Sequence, residues 1–315
     1  FICGPKCFSV GAMWLFFAFS GPVLWAASTH IDKYLVDRYF QNSDTAVLMV
    51  FTALIGALLL PFIWYFAPGV FAIPLSAMAV MAVSGILYMG AMLFYLRAIQ
   101  SEEASVVAPF FQVSTIFTFI LAYVFLHETI GWVRIGGGLL VVAGAMLLSL
   151  DASLHFRALK PRFALLMLTC GLVMSVSAVL FKYFAVHDDY WVTTFWNFVG
   201  EALFGLAILA VPHYWRQFLA LFRKSPGAVI AINGANELIN LGGGLGVRYA
   251  YLSVPVALVS AISSTTTLFV FAFGILLTLF VPRLGREDLS RKNLIQKGAA
   301  ALLVAIGVAI VNLVK

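Results

Sequence analysis

The stretch Pro226 to Tyr251, PGAVIAINGANELINLGGGLGVRYAY, decides how this chain is read. It is long and apolar enough for a membrane helix, yet Asn233, Asn236, Glu237 and Asn240 interrupt it. These fall three, four and seven residues after the first, so at about 3.6 residues per turn they share one helix face. A carboxylate at the centre of a spanning helix costs about 2.5 to 3.5 kcal/mol on insertion scales, so Glu237 is expected to face water, a partner or a ligand inside the protein. The run Gly242, Gly243, Gly244 and Gly246 weakens the helix and lets another backbone come close. Two readings of the stripe stand side by side. It lines a pathway, or it is a hydrogen-bond network that holds helices together.

Composition extends the same reading to the whole chain. Of 315 residues, 63% are hydrophobic and 10% charged, against roughly 45 to 50% and 25% in soluble domains. Apolar runs of about 20 residues recur, each long enough to cross a hydrocarbon core of about 30 Å. The net charge of +6 is carried by Lys and Arg in short loops, where it sets orientation and does not attract nucleic acid. Three cysteines, Cys3, Cys7 and Cys170, do not make a disulfide framework. The residues before Met13 read as sequence added ahead of a native start. The first apolar run lacks the basic segment and small-residue cleavage site of a signal peptide.

Breakers and apolar length predict an all-α integral membrane fold of ten spans: 13–30, 45–66, 74–97, 104–126, 132–150, 162–185, 190–211, 227–249, 255–280 and 294–314. The halves resemble each other. Ser28 with Lys33-Tyr34 matches Ser177 with Lys182-Tyr183, and span four aligns without gaps on span nine, Gln112 meeting Ser264 and Thr115 meeting Thr267. Five spans per copy force opposite orientations, so the expectation is two inverted five-helix repeats, 13–150 and 162–315, forming one membrane domain with a site near the midplane.

Leu126-His127-Glu128-Thr129-Ile130 after span four, and Gly136-Gly137-Gly138 to Gly144 in span five, resemble the drug/metabolite transporter superfamily in its EamA-like branch. The likeness covers essentially Met13 to Lys315, although Arg286-Glu287 replaces His127-Glu128 in the second half, after a charged insertion from Pro282. The resemblance implies a secondary transporter whose cavity is lined by spans one, three, four, six, eight and nine, with both termini cytoplasmic. Charge points the other way. Loops one-two, three-four, five-six, seven-eight and nine-ten hold 14 of the 19 Lys and Arg, which by the positive-inside rule puts them in the cytoplasm and the termini outside.

The candidate substrate site is Glu237, Asn233, Asn236 and Asn240 of span eight, Gln112 and Thr115 of span four, and Ser260, Ser264 and Thr267 of span nine. The aromatics Trp25, Tyr88 and Tyr95 would cradle the ligand. Any single hydroxyl has the plainer alternative of bonding back to its own helix. Glu237 suits reversible protonation or pairing with a cationic substrate. Glu201, with Asn197 one turn before it, is the second coupling candidate and equally a structural one. Lys33 and Lys182 occupy equivalent places and are expected to snorkel to the interface, Arg248 is open between that and a buried role, and Glu128 is expected to fix loop geometry.

The chain carries no GxxxxGK[ST] phosphate loop and no HExxH, so no enzyme, cofactor or metal is expected. The leading function is a carrier moving, or exporting, a small polar or amphiphilic metabolite by alternating access, with proton coupling as an option. The alternative is a lipid flippase or scramblase with a polar headgroup cavity. Expected partners are a small-molecule substrate, membrane lipids and, as an option, a second copy in a homodimer, with no nucleic acid. The expected location is the inner (plasma) membrane, multi-pass.

Overall fold

In the computed structural model, residues 6–39, 44–101, 113–149, 161–224, 226–280 and 290–313 are described. Gln112, Cys3, Lys160 and the insertion from Pro282 lie outside them, as do the side chains of Cys7, Lys33 and Arg162. Every regular element among the described residues is helical. The α-helices are α1 (Lys6–Tyr39), α2 (Ala46–Phe66), α3 (Leu75–Ser101), α4 (Val113–Leu126), α5 (Trp132–Ser149), α6 (Pro161–His187), α7 (Tyr190–Leu209), α8 (Pro212–Lys224), α9 (Pro226–Ala250), α10 (Val256–Ser263), α11 (Thr266–Phe280) and α12 (Arg291–Leu313). Six segments are long and apolar enough to cross a membrane: α2, α3, α6, α7, α12, and α10 with α11 as one unit. α4 and α5 are shorter apolar helices.

Local chemistry sets the boundaries. Pro161, Pro212 and Pro226 each open a helix, where a missing N–H costs nothing. Asp189 caps α7, its carboxylate accepting from Trp191 N (2.7 Å) and Val192 N (3.1 Å). α4 closes at His127, whose φ of 51° is left-handed, while Glu128 N reaches back to Ala122 O. Three departures from the sequence expectation bear on function. α1 runs on to Tyr39 and so carries Asp32 inside a helix. Span nine is interrupted at Ser264-Thr265, where Thr265 N bonds Ile262 O, one residue short of the helical partner. An unexpected amphipathic helix, α8, joins spans seven and eight, burying Phe218 and leaving Trp215 and Arg216 exposed.

The principal helix pairs are α5 with α12, α1 with α9, α3 with α6, α2 with α7, α3 with α7, α4 with α6, and α1 with α11. Small residues allow the closest of these. A Cβ on Gly200 would stand 1.8 Å from Ala82 O, and one on Gly85 2.0 Å from Asn197 O, so α3 and α7 touch backbone to backbone. Gly243 and Gly246 behave as the glycine run predicts. Gly243 meets Trp25 and Gly21 of α1, and Gly246 meets Ser20 and Phe17 O. Gly244 has open space instead. Hydrophobic clusters around Val47, Met49 and Met89 on one side, and Val256, Val259 and Ile262 on another, fill the remaining interior.

Candidate functional site

The stripe of α9 is buried against α1 and α2 and faces α7 across a cavity, and the polar side chains of α9 split into two regions of different electrostatics. In the first, Asn233 and Asn236 are wholly enclosed and Glu237 is 7% exposed. Asn236 Nδ2 donates to Asp32 Oδ1 of α1 at 2.6 Å, and Thr52 Oγ1 of α2 donates to Glu237 Oε1 at 2.9 Å. Ser28, one turn before Asp32, stands 3.5 Å from its other oxygen. Asn236, bonded to Asp32, precedes Glu237 in the chain, so the two carboxylates belong to one polar region. Among the described residues, neither is in a salt bridge.

Three turns further along α9, Arg248 forms the second region. Its Nη2 donates to Glu201 Oε1 of α7 at 2.9 Å, and its guanidinium sits 5.2 to 5.5 Å from the ring centroids of Tyr88, Phe181 and Phe198. Arg248 is therefore an interior ion-pair partner. Asn197 does not hold Glu201; it donates to Ser84 Oγ, part of a hydroxyl cluster in which Ser84 and Ser177 each bond the other's carbonyl. Between the two regions lies a cavity with room for about 40 Å3, walled by Thr52, Tyr88, Glu201, Glu237, Asn240 and Arg248 among others. A larger groove of about 420 Å3 on α8, beside Arg216 and Arg223, shares no lining residue with it.

A third polar contact closes one end of the bundle. Lys182 of α6 pairs with Glu128 and donates to Val254 O at 2.7 Å, while both oxygens of Glu128 accept from Val256 N, the first N–H of α10. Lys182 thus has an internal partner where snorkelling was expected. Glu128 ties the α4–α5 connection to the start of α10, in keeping with a role in loop geometry.

The other sequence candidates scatter. Tyr88 lines the cavity; Tyr95 packs with Ala98, Phe163 and Met167 nearer Asp32. Trp25 Nε1 donates to Asn240 O at 3.3 Å and its ring packs on Gly243, so it secures the α1–α9 contact. Thr115 meets Ser264 Oγ at 3.1 Å and Ser260 O at 3.3 Å, a junction of α4 with α10 whose residues do not line the 40 Å3 cavity. Thr267 bonds back to Ser264 O, in the break just before its own helix. Sequence reasoning passed over Asp32 and Thr52. Ser28 and Asp32 share a face at a spacing of four, the one signal that would have found Asp32.

Residues 12–150 match the EamA-like transporter family, which lies in the drug/metabolite transporter superfamily. The resemblance read from the sequence is thereby borne out over those residues. No curated protein matches the sequence significantly. A solved structure, described only as "Crystal structure of protein", aligns with 95% of this chain and 96% of its own, at a TM-score of 0.61 and 17% identity. At that identity the likeness concerns the fold alone.

Proposed function

We propose that this chain, an EamA-like membrane transporter over residues 12–150, is a secondary carrier that moves a small polar or amphiphilic metabolite by alternating access between two inverted five-helix repeats. The helix pairing supports the repeats. Exchanging spans one to five with six to ten maps α1/α9 onto α6/α3 and α4/α6 onto α10–α11/α1, while α2/α7 and α5/α12 map onto themselves; α3/α7 departs from the pattern, its counterpart α9/α2 being a slighter contact. The ten-span, multi-pass arrangement follows if α1, α4, α5 and α9 also span. The excess of Lys and Arg then places the loop containing Lys160 and Arg162 in the cytoplasm of a cell whose plasma membrane holds the protein.

One observation carries the assignment of the site: Glu237 is buried at the middle of α9, faces a cavity and has a hydroxyl, not a cation, as its partner. Ionisable groups at such depth mark pathways. The cavity's 40 Å3 holds a water or two, whereas ligand pockets run to about 300 Å3 and more. Admitting a metabolite requires the halves to part, and the Glu128–Lys182 clasp is the contact that must release at its end. Asn240 and Tyr88 serve as further substrate contacts, and Glu237 takes the cationic or polar group of the substrate or a coupling proton.

The test is uptake into sealed vesicles, with substrate first found by thermal-shift screening of metabolites against the purified protein. Glu237→Gln keeps volume and hydrogen-bonding capacity but cannot ionise. Loss of uptake, or of its dependence on pH between about 5 and 9, is expected; wild-type uptake with an unchanged pH profile would sink the assignment.

A further inference from the structure

In the first polar region the half-buried Asp32 bonds Asn236, the buried Glu237 that follows Asn236 in the chain bonds Thr52, and no described cation is paired with either carboxylate. Arg248 is engaged by Glu201; its backbone lies about 16 Å from that of Glu237 along α9 at 1.5 Å per residue, although both side chains wall the same cavity. His30, on the same helix as Asp32, contacts Val270 O. Two charges of one sign do not persist together in a low-dielectric interior without a compensating positive charge.

A second observation, independent of charge, points to the kind of compensation. Asn236 Oδ1 is buried and without a hydrogen-bond partner, although its own Nδ2 is bonded to Asp32. One turn earlier on the same face, Asn233 is 0% exposed and both ends of its amide are unpartnered. A buried amide oxygen left alone costs about 1 to 3 kcal/mol. A single proton shared by the carboxylates would remove their repulsion and leave these oxygens unsatisfied. An ion that accepts several oxygen ligands satisfies both requirements. The cavity of about 40 Å3 that Thr52, Glu237 and Asn240 wall, behind which Asn236 and Asn233 lie on the same helix without lining it, has space for a small ion with a water, and not for a metabolite. No cluster of three or more His, Cys, Asp or Glu side chains exists among the described residues, which argues for a monovalent ion in preference to a divalent one.

We propose that Asp32 and Glu237, with the side-chain oxygens of Asn236, Asn233 and Thr52, form a binding site for one sodium-sized monovalent cation between α1, α2 and α9. The site deepens the carrier reading, because it supplies a coupling ion whose residues come from both repeats. Occupancy neutralises one of the two carboxylates and draws α1 and α2 of the first half onto α9 of the second. Glu237, shared between ion and cavity, makes filling of one felt at the other.

The experiment uses the full-length chain in detergent. Its thermal midpoint is followed as sodium chloride replaces choline chloride at constant ionic strength, alongside equilibrium binding of radioactive sodium. A saturable, sodium-specific rise of about 3 °C is expected, with retained radioactive sodium, both abolished in Asp32→Asn and weakened at least tenfold in Glu237→Gln. Equal midpoints in sodium and choline together with no saturable sodium binding overturn the site. A rise with methylammonium but none with sodium also overturns it and assigns the carboxylates to an organic ammonium. Should Asp32→Asn fail to fold, wild-type and Glu237→Gln binding decide alone. Sodium binding without metabolite uptake would leave this site standing while the carrier reading falls, so the two failures are separable.

Discussion

The two polar regions of α9 share a helix and a depth of burial but solve opposite problems. Around Arg248 the charges balance inside the protein: one guanidinium, one carboxylate from Glu201 and three aromatic rings. Around Glu237 and Asp32 the partners among the described residues are a hydroxyl and an amide, and no described cation is paired with either acid. A buried pair that is already balanced has no need of a ligand and fixes how α7 sits on α9. A buried excess of charge is expensive as a permanent feature, so its persistence points to something that comes and goes. The contrast also revises the standing of Glu201. Its pairing with Arg248 favours the structural part, though it borders the same cavity as Glu237.

The largest effect should come from breaking the balanced region. Arg248→Met leaves Glu201 without its counter-charge and is expected to cost about 3 to 5 kcal/mol, read as a fall in thermal midpoint or failure to recover folded protein. Combining it with Glu201→Gln should restore much of that loss. If the double variant is no more stable than the single one, the pair is not the unit described here.

A smaller effect is expected at the contact that carries Glu201 to α9. Gly200→Ala places a methyl group against Ala82 O, and prising α3 from α7 should cost about 1 to 3 kcal/mol. Gly244→Ala, with open space around the added carbon, serves as its control in the same melting experiment. Equal losses at both positions would mean that helix propensity, and not close packing, sets the cost.

The smallest change in stability belongs to the unbalanced region. Thr52→Val removes one hydrogen bond to Glu237 and should cost about 1 kcal/mol, yet it should weaken sodium or substrate binding several-fold. A variant that loses stability without any change in binding would place Thr52, and with it this face of the stripe, among the structural contacts.

Much of this arrangement was legible in the sequence. Hydropathy located spans two, three, six, seven, nine and ten, and spacing put Asn233, Asn236, Glu237 and Asn240 on one face, because periodicity is a property of the helix alone. Asp32 was not legible. It lies past the last apolar residue of its run, where composition reads as loop, and only contact with α9 shows that α1 continues through it to Tyr39. α8 was hidden for a related reason. Its thirteen residues alternate apolar and basic on a helical period, so their average hydropathy resembles a connection.

By itself the sequence determined that the chain is a helical membrane protein with an acidic group in the middle of a long helix, since burial of apolar runs and helical periodicity are local and follow from residue order. Which charges cancel was decided only by the tertiary structure. Arg248 finds Glu201 across 47 residues of chain and Asp32 finds Asn236 across 204. Pairing energies depend on distances through space, and in a bundle of look-alike apolar helices the sequence does not specify which faces meet.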